Sequence, residues 1–391
     1  MDKALFKDKV LSMQTPNEMR LTLKQRIQIS IRRRLEKKPK LIIPSCIAVL
    51  LIIAMFLISI IPHTPAEIGA SDYQNEYLQL SFMGDVMLGR YIEAYAEANG
   101  YESFFSGISD VWSNSDFVFA NLEGAIVPGG VENYTKRQKK GPYLHASQDS
   151  VIAMMNSGIN TISIANNHCT DYGAEAYQSS IEWLEGTGIN YAGNVYLDDR
   201  YARVSGTQLQ AQELDIGFIA FTDVFLSGTS AAGVLTSRNS SLYRLINDSA
   251  INNDLTVVYV HWGDEYRSNP NEDQIKLGHD LIDAGADIVI GCHPHAVQPV
   301  EKYGRGIIFY SLGNFIMDQN NTFTRDSVLV QYNRSEDGSG YFELVPVRIY
   351  DGRPVPLDNG FYSSRIRRVL TKKLDLAEYS VKDDGHIIIE F

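Results

Sequence analysis

The sequence predicts an α/β domain preceded by one N-terminal transmembrane helix. Two observations predict it: residues 41–61 contain no charged side chain, and from residue 77 onward short β-rich segments alternate with helical ones. The 391-residue chain is 44% hydrophobic and 21% charged, which supports an ordered core and argues against a disordered chain or a coiled coil. Its three cysteines show no CxxC spacing, which argues against a disulfide scaffold and a structural zinc site.

The net charge of −12 is distributed unevenly along the chain. Residues 1–40 carry 12 Lys and Arg against four Asp and Glu, a net charge of +8. Residues 41–61 carry none, and residues 62–391 carry a net charge of −20. This acidic excess argues against nucleic acid as a partner, because nucleic-acid binding requires a basic surface.

The uncharged stretch 41–61 would reach about 31 Å as a helix, the thickness of a bilayer's hydrocarbon core. A buried core helix rarely runs this long without a polar face, and a cleavable signal peptide usually has an apolar region of about 7–15 residues. A membrane span is therefore the stronger interpretation. Six basic residues lie between positions 32 and 40, so the positive-inside rule leaves residues 1–40 in the cytoplasm and the rest outside the cell membrane. Residues 62–76, polar and broken by proline, are predicted to be a linker.

The external part, 77–350, shows the alternation that is typical of an α/β domain. Strands are predicted at YLQLSFMGD, FVFANLEGAIV, TISIANN, LDIGFIAFTDV, LTVVYVHWG and ADIVIGCHPH. Helices are predicted between them at SQDSVIAMMNSG, GAEAYQSSIEWLEGTG and PNEDQIKLGHDLIDAGA. The last strands, GIIFYSLGNF, DSVLVQYN and YFELVPVRIY, lack intervening helices and indicate an antiparallel part. Residues 351–391 are expected to form a C-terminal appendage.

Polar side chains recur where these strands end, which is where open α/β sheets place their sites. A single histidine there is more often a structural hydrogen-bonding group, but five strand ends each offer an oxygen or imidazole ligand. Pro294 stiffens the loop that presents the histidines on either side of it. Such a ligand set suits Zn²⁺, Mn²⁺ or Fe. The residues are Asp85, Asn121, Glu123, Asn166, Asn167, His168, Asp171, His261, Glu265, His293, His295 and Asn314.

At these positions the sequence resembles the CapA/PgsA family of poly-γ-glutamate capsule biosynthesis proteins. The matching motifs, in order over residues 77–350, are MGDVMLGR, NLEG, NNHCTDYG, HWGDEY, GCHPH and YSLGNFIMDQ. That family belongs to the calcineurin-like metallophosphoesterase superfamily, so the resemblance implies an αββα sandwich with a site for one or two divalent metal ions. It also implies partners: the ligase and membrane channel subunits of a polyglutamate synthase, and the polymer itself.

The resemblance further implies individual roles. The implied metal ligands are Asp85, Glu123, Asn167, His261, His293 and His295. His168 would protonate a leaving group, with Asp171 in the same catalytic set. Arg90, Asn121, Asn166, Glu265 and Asn314 would line the site. The chain departs from the superfamily at two positions, since Met87 replaces the histidine of an Asp-x-His motif and Glu123 stands where an aspartate is usual.

Two further features remain open on the sequence alone. Cys169 and Cys292 adjoin predicted site histidines, so they form a disulfide between two loops, place a thiol near the metal, or merely fill the core. A dense basic run in the acidic domain is either a solvated loop or a binding strip for a polyanion. The run comprises Lys136, Arg137, Lys139 and Lys140.

Three functions are compatible with this sequence. The first is a membrane-anchored accessory subunit that guides or exports poly-γ-glutamate outside the membrane. The second is a metal-dependent hydrolase of phosphoesters at the cell surface, and the third is a scaffold that a metal stabilises. ATP-driven polymerisation is not expected of this chain, because it lacks a GxxxxGK[ST] phosphate-binding loop.

Overall fold

The computed structural model describes residues 78–136, 141–195, 202–205, 214–225 and 233–391. The predicted cytoplasmic segment 1–40, transmembrane helix 41–61 and linker 62–76 lie outside these ranges. Within the described ranges, no helix is both long enough and apolar enough to span a membrane.

The described residues form an α/β fold, as predicted. The strands are β1 (Leu78–Val86), β2 (Phe117–Leu122), β3 (Ala125–Ile126), β4 (His145–Ala146), β5 (Thr161–Ser163), β6 (Asn190–Ala192), β7 (Ala202–Ser205), β8 (Asp215–Thr222), β9 (Leu255–His261), β10 (Ile288–Cys292), β11 (Val300–Tyr303), β12 (Gly306–Phe309), β13 (Asn314–Ile316), β14 (Asp326–Arg334), β15 (Gly340–Tyr350), β16 (Arg353–Pro356), β17 (Ser380–Val381) and β18 (Ile387–Glu390). The α-helices are α1 (Arg90–Asn99), α2 (Gln148–Asn156), α3 (Gly173–Glu185), α4 (Leu242–Asn252), α5 (Glu272–Asp283) and α6 (Phe361–Leu370).

Two large sheets carry the fold. In the described ranges the first has ten strands in the order β17-β18-β15-β14-β1-β2-β5-β6, with β13 paired to β1 and β16 to β15. Its strands β1, β2, β5 and β6 are parallel, whereas β14, β15 and β18 join antiparallel. The second sheet, again counted over described residues, has six strands in the order β11-β12-β10-β9-β8-β7. Its strands β8, β9, β10 and β12 are parallel to one another. The antiparallel C-terminal part is therefore confirmed for β14 and β15. The predicted segment GIIFYSLGNF instead divides into β12 and β13, which pair parallel with β10 and β1.

Apolar side chains divide the domain into layers. One cluster fills the space between the two sheets and includes Phe82, Phe119, Phe218 and Tyr259. A second cluster packs helices α1, α2 and α3 on the outer face of the first sheet, and a third packs α4 and α5 on the outer face of the second. Each sheet thus buries both faces, which explains why its parallel strands are almost continuously apolar.

The three predicted helices are confirmed as α2, α3 and α5, but α1, α4 and α6 were not predicted. Helix α1 buries only Ile92 and Ala96, and α6 only Ser363, Ile366 and Leu370, so neither has a wide apolar stripe. Beyond residue 350, β16 and β18 hydrogen-bond to β15. The C-terminal segment 351–391 therefore extends the first sheet at its edge.

A close backbone approach places the end of β1 beside β13. The Asp85 N–H donates to the Gly313 carbonyl (3.1 Å), and Asp85 pairs with Asn314 across the strands. A methyl group on Gly84 would lie 1.8 Å from the same carbonyl oxygen, so only glycine fits there. This contact positions the Asp85 carboxylate relative to the other strand ends.

We expect Gly84→Ala to lower the free energy of unfolding by about 1–3 kcal/mol, because β1 and β13 must separate to admit the methyl group. Urea unfolding of the intact chain would measure the loss. Gly107→Ala is the matched control, since a methyl group there meets nothing within 4 Å. Equal stability of the two variants would contradict the tight approach.

Candidate metal centre

The carboxyl ends of strands from both sheets converge on one buried site. Asp85 ends β1, Glu123 follows β2, and Asn167 and His168 follow β5, all in the first sheet. From the second sheet, His261 ends β9, and His293 and His295 follow β10. The six predicted metal ligands are at most 7% exposed: Asp85, Glu123, Asn167, His261, His293 and His295. The structure therefore brings together the residues that the motifs indicated.

The first group of possible ligands is Asp85, Glu123 and His295, whose donor atoms lie within 4.8 Å of one another. His295 Nδ1 lies 3.4 Å from Asp85 Oδ2, and its Nε2 lies 3.7 Å from Glu123 Oε1. Burial raises the pKa of the Glu123 carboxyl to about 7, although the nearby His295 lowers it in part. Burial alone would lower the pKa of His295, but the charge of Glu123 and the contact with Asp85 raise it well above its usual range.

Both carboxylate oxygens of Glu123 are buried without a hydrogen-bond partner in the described structure, as is Oδ1 of Asn121. A carboxylate in this position is unfavourable unless a cation accompanies it, because it has lost its water without gaining donors. His295 is too far away to donate a hydrogen bond. The donor set of carboxylates, imidazoles and amide oxygen therefore fits a divalent metal ion.

The second group comprises His261, Asn167 and His293. His261 Nε2 lies 2.9 Å from Asn167 Oδ1 and 3.1 Å from His293 Nδ1. Ligand atoms that each lie about 2.0–2.2 Å from one ion are themselves separated by about 3 Å, so these spacings suit a common ion. Burial and the neighbouring histidines lower the pKa of His261 and that of His293, the latter to about 3. Neutral rings are the form that binds metal.

The loop after β10 holds its histidines in unusual backbone conformations. His293 has a φ of 97° and His295 a φ of 53°, in a region that non-glycine residues seldom adopt. The His293 N–H donates to Asp85 Oδ2 (3.1 Å), and the Pro294 carbonyl accepts from the Tyr266 N–H (2.8 Å). The surrounding contacts therefore hold a strained loop in a shape that turns both rings toward the site.

Met87, at the position where the resemblance drawn from the sequence implies a histidine in related proteins, lies fully buried in the helix-side core of the first sheet. Asp85, Glu123 and His295 therefore gain no second imidazole from that position. This departure, expected from the sequence, leaves the first group with fewer nitrogen ligands than the second.

His168 and Asp171 form a hydrogen-bonded pair next to the possible ligands. His168 Nδ1 lies 2.8 Å from Asp171 Oδ2, which also accepts the Leu144 N–H at 2.8 Å. The other ring nitrogen, Nε2, lies 3.8 Å from Glu123 Oε1. Asn166 fastens this loop, since its amide donates to the Leu122 carbonyl (2.8 Å) and its oxygen accepts the His168 N–H (3.0 Å). Asp171 thus orients His168 to hold or deliver a proton at Nε2.

A bound divalent ion would supply Lewis acidity and an activated water. The chain's own residues supply the rest. The Asn121 amide donates to Asp85 Oδ1 (2.7 Å) and keeps that carboxylate oriented. Asn314 Oδ1 lies 2.8 Å from His295 Nδ1, and this contact holds the imidazole ring in position. These two predicted lining residues therefore act by positioning possible ligands.

The rim of the site includes two predicted lining residues, Arg90 and Glu265, and one residue that the sequence did not predict, Tyr266. Arg90, a predicted lining residue, forms a 2.8 Å ion pair with Asp318 at the surface. Glu265 is exposed, and its donor atoms approach His293 and His295 within 4.8 Å. The neighbouring Tyr266 was not predicted; its φ is 63° and its ring lies 6.0 Å from that of His295. It belongs to the HWGDEY motif, which was the available signal.

Of the basic run, only Lys136 falls within the described residues; Arg137, Lys139 and Lys140 lie outside them. Lys136 Nζ lies 5.3 Å from the ring centre of Tyr143 and 5.6 Å from that of Tyr172. Because Tyr172 directly follows Asp171, Lys136 lies beside the His168–Asp171 loop.

The two cysteines near the site are free and buried. Cys169 donates its S–H to the Asn166 carbonyl (3.0 Å) and belongs to the helix-side core, whereas Cys292 belongs to the core between the sheets. The disulfide hypothesis is therefore wrong. Cys169 fills the core, whereas Cys292 lies in the core beside the carboxylate of Asp85, a possible metal ligand. Burial raises the pKa of the Cys292 thiol, and the charge of nearby Asp85 raises it further, so this thiol stays protonated.

We expect Glu123→Gln to weaken metal binding at least about tenfold, because it removes a buried charge whose oxygens accept no hydrogen bond from the described residues. The bound metal per chain, measured by mass spectrometry after dialysis against Mn²⁺ or Zn²⁺, would report the loss. Glu343→Gln is the control: Glu343 lies in another acidic group with a histidine, but its Oε1 already accepts from His386 (2.6 Å) and Lys382 (3.1 Å). Equal metal content in both variants would contradict the assignment.

Comparison with known proteins identifies the family. The profile described as "Bacterial capsule synthesis protein PGA_cap" matches residues 79–319. The "Capsule biosynthesis protein CapA" of Bacillus anthracis is 34% identical over 381 residues, covering 93% of this chain and 90% of that protein. The "PGA biosynthesis protein CapA" of Bacillus subtilis (strain 168) is 34% identical over 317 residues, covering 80% and 82%. A "Probable polyglutamine synthesis accessory protein" of Mycobacterium tuberculosis is 25% identical over 257 residues, covering 60% and 66%. The resemblance drawn from the motifs is confirmed, and this chain belongs to the PGA_cap family of bacterial capsule synthesis proteins.

Proposed function

We propose that this protein is a membrane-anchored accessory subunit of a poly-γ-glutamate synthase that acts outside the membrane in synthesis or export of the capsule polymer. The observation that carries the proposal is the 34% identity to a capsule biosynthesis protein over 93% of the chain. Its partners would be the ligase and membrane channel subunits, together with the polymer.

The charge distribution of the sequence supports the topology in this proposal. A net charge of +8 precedes the uncharged stretch 41–61, and a net charge of −20 follows it. This asymmetry favours a single-pass anchor with residues 1–40 in the cytoplasm and the α/β domain outside.

The metal centre would work in this external domain with Zn²⁺, Mn²⁺ or Fe, as one or two ions. Imidazole nitrogens predominate in the second group of ligands, and carboxylates in the first. Such a mixture suits these borderline metals better than Ca²⁺, which prefers oxygen ligands alone.

A second candidate function is hydrolysis of a phosphoester, and one specific observation favours it. His168 is 8% exposed, and its Nε2 lies 3.8 Å from Oε1 of Glu123, whose carboxylate accepts no hydrogen bond from the described residues. A histidine oriented by a carboxylate beside a metal site can protonate a leaving oxygen. A purely stabilising metal would not require it.

Polymer production tests the roles of metal and proton transfer. In a strain that lacks the native gene, we expect Glu123→Gln in the intact chain to abolish capsule polymer, measured as hydrolysable glutamate at the cell surface. Loss of polymer with His168→Ala as well would indicate catalysis, whereas full production with His168→Ala would favour the metal-stabilised scaffold. Normal polymer in the strain without any copy would overturn the accessory role itself.

Hydrolysis can be assayed directly with bis(p-nitrophenyl) phosphate as the probe. If the site is a working phosphoesterase, the Mn²⁺-loaded or Zn²⁺-loaded chain will cleave it, and His168→Gln will lower kcat at least about 100-fold with metal content unchanged. His279→Gln serves as the control, since His279 hydrogen-bonds to Glu301 and stacks on Tyr303, both on β11. Cleavage that is unaffected by His168→Gln would exclude His168 as the proton donor.

A further inference from the structure

Three arginines and two tyrosines form a compact cluster, called here the arginine cluster, in which Arg348 is buried and the other four side chains reach the surface: Arg325, Arg348, Arg365, Tyr350 and Tyr362. The Arg348 guanidinium carbon lies 3.9 Å from the ring centre of Tyr362, and that of Arg365 lies 5.1 Å from the same ring. The Arg325 guanidinium carbon lies 4.8 Å from the ring centre of Tyr350. Sequence patterns did not single out any of these residues.

The fold assembles the cluster from three separate elements. Asp326 on β14 pairs directly opposite Arg348 on β15. Arg348 and Tyr350 are two residues apart on one strand, so their side chains lie on the same face of the sheet. On α6, Tyr362 and Arg365 are three residues apart and share one helix face. Helix α6 thereby covers this part of the sheet with an aromatic ring and a cation.

The cluster has more positive than negative charge. Asp326 pairs with both Arg348 and Arg365, and it is the one carboxylate that pairs with these arginines in the described part of the chain. Arg325 instead donates to the Ile349 carbonyl (2.7 Å). Arg348 is 3% exposed, and its Nε–H has no acceptor among the described residues. Two positive charges are thus left unneutralised in a domain whose net charge is −20. Stacking on tyrosine rings offsets part of the repulsion between them.

One segment connects the cluster to the rim of the metal centre. The Thr322 carbonyl accepts from Arg348 (3.2 Å) and Arg365 (3.3 Å). Phe323, next in the chain, lies 6.3 Å from the Tyr266 ring, which is itself 6.0 Å from that of His295. The Thr324 carbonyl accepts from Asn314, the residue that fixes His295. The arginine cluster and the site therefore flank the same short segment.

We propose that the arginine cluster binds successive carboxylate groups of an acidic polymer and holds that polymer beside the metal centre. This inference rests on the proposed function and adds a binding surface to it. Guanidinium groups match carboxylates with two parallel hydrogen bonds, and tyrosine rings hold them in a fixed orientation. The surrounding negative charge would oppose long contact with a polyanion, so binding should be local and sensitive to salt.

The test measures binding of a fluorescent poly-γ-glutamate oligomer to the full-length protein by anisotropy, at low and physiological salt. We expect Arg325→Ala/Arg365→Ala to raise Kd at least about tenfold and to reduce its salt dependence. Asp326 keeps its pair with Arg348 in this variant, so no carboxylate is left unpaired. Arg305→Ala is the matched control, because Arg305 is an exposed arginine on the turn between β11 and β12.

A Kd within twofold of the wild type for the double variant would overturn the inference, as would equal weakening by Arg305→Ala. Equal affinity for a single-stranded DNA oligomer of the same charge would also overturn it, because the cluster would then recognise charge alone. The metal content of the double variant should match that of the wild type. Unchanged binding together with normal metal content and polymer production would refute this surface and leave the accessory role intact.

Discussion

The carboxylate of Asp85 is the contact on which the site depends, because it joins the two sheets at the edge where their strands end. Its Oδ1 accepts from Asn121, which lies on β2 of the same sheet, and its Oδ2 accepts the backbone N–H of His293, which follows β10 of the other sheet. A buried carboxylate that receives hydrogen bonds from both sides fixes their relative position. The close approach at Gly84 brings this carboxylate to the point where the sheets meet.

Charge balance is the second constraint on the site. Asp85 is satisfied by hydrogen bonds from the protein, whereas Glu123 is buried beside it with none. Two carboxylates this close repel one another, and burial strengthens the repulsion. Imidazoles surround them, and the pKa of His261 is lowered while that of His295 is raised. The rings of His261 and His293 are therefore already neutral and suited to coordination, whereas a metal ion would have to displace the proton that the acids favour on His295.

Charged groups away from the metal centre show the same contrast between charges that have an opposite partner and charges that do not. At the C-terminal edge, Glu343 pairs with Lys382 and hydrogen-bonds to His386, so these contacts stabilise the packing of β15 against the chain end. In the arginine cluster the imbalance is positive and lies close to the site. Under the proposed function, a domain with this net negative charge would contact an acidic polymer through such local exceptions.

The sequence by itself determined the α/β alternation, the ordered series of polar strand ends and the family. Short stretches of sequence encode these features, because hydrophobic periodicity, turn residues and motif spacing are local properties. Only the tertiary structure decided that Glu123 lacks hydrogen-bond donors, that Cys169 and Cys292 stay apart as free thiols, and that Arg325, Arg348 and Arg365 meet. Each of these depends on strand register and on which helix covers which sheet face. Contacts between residues far apart in the chain follow from that packing, and no local pattern encodes them.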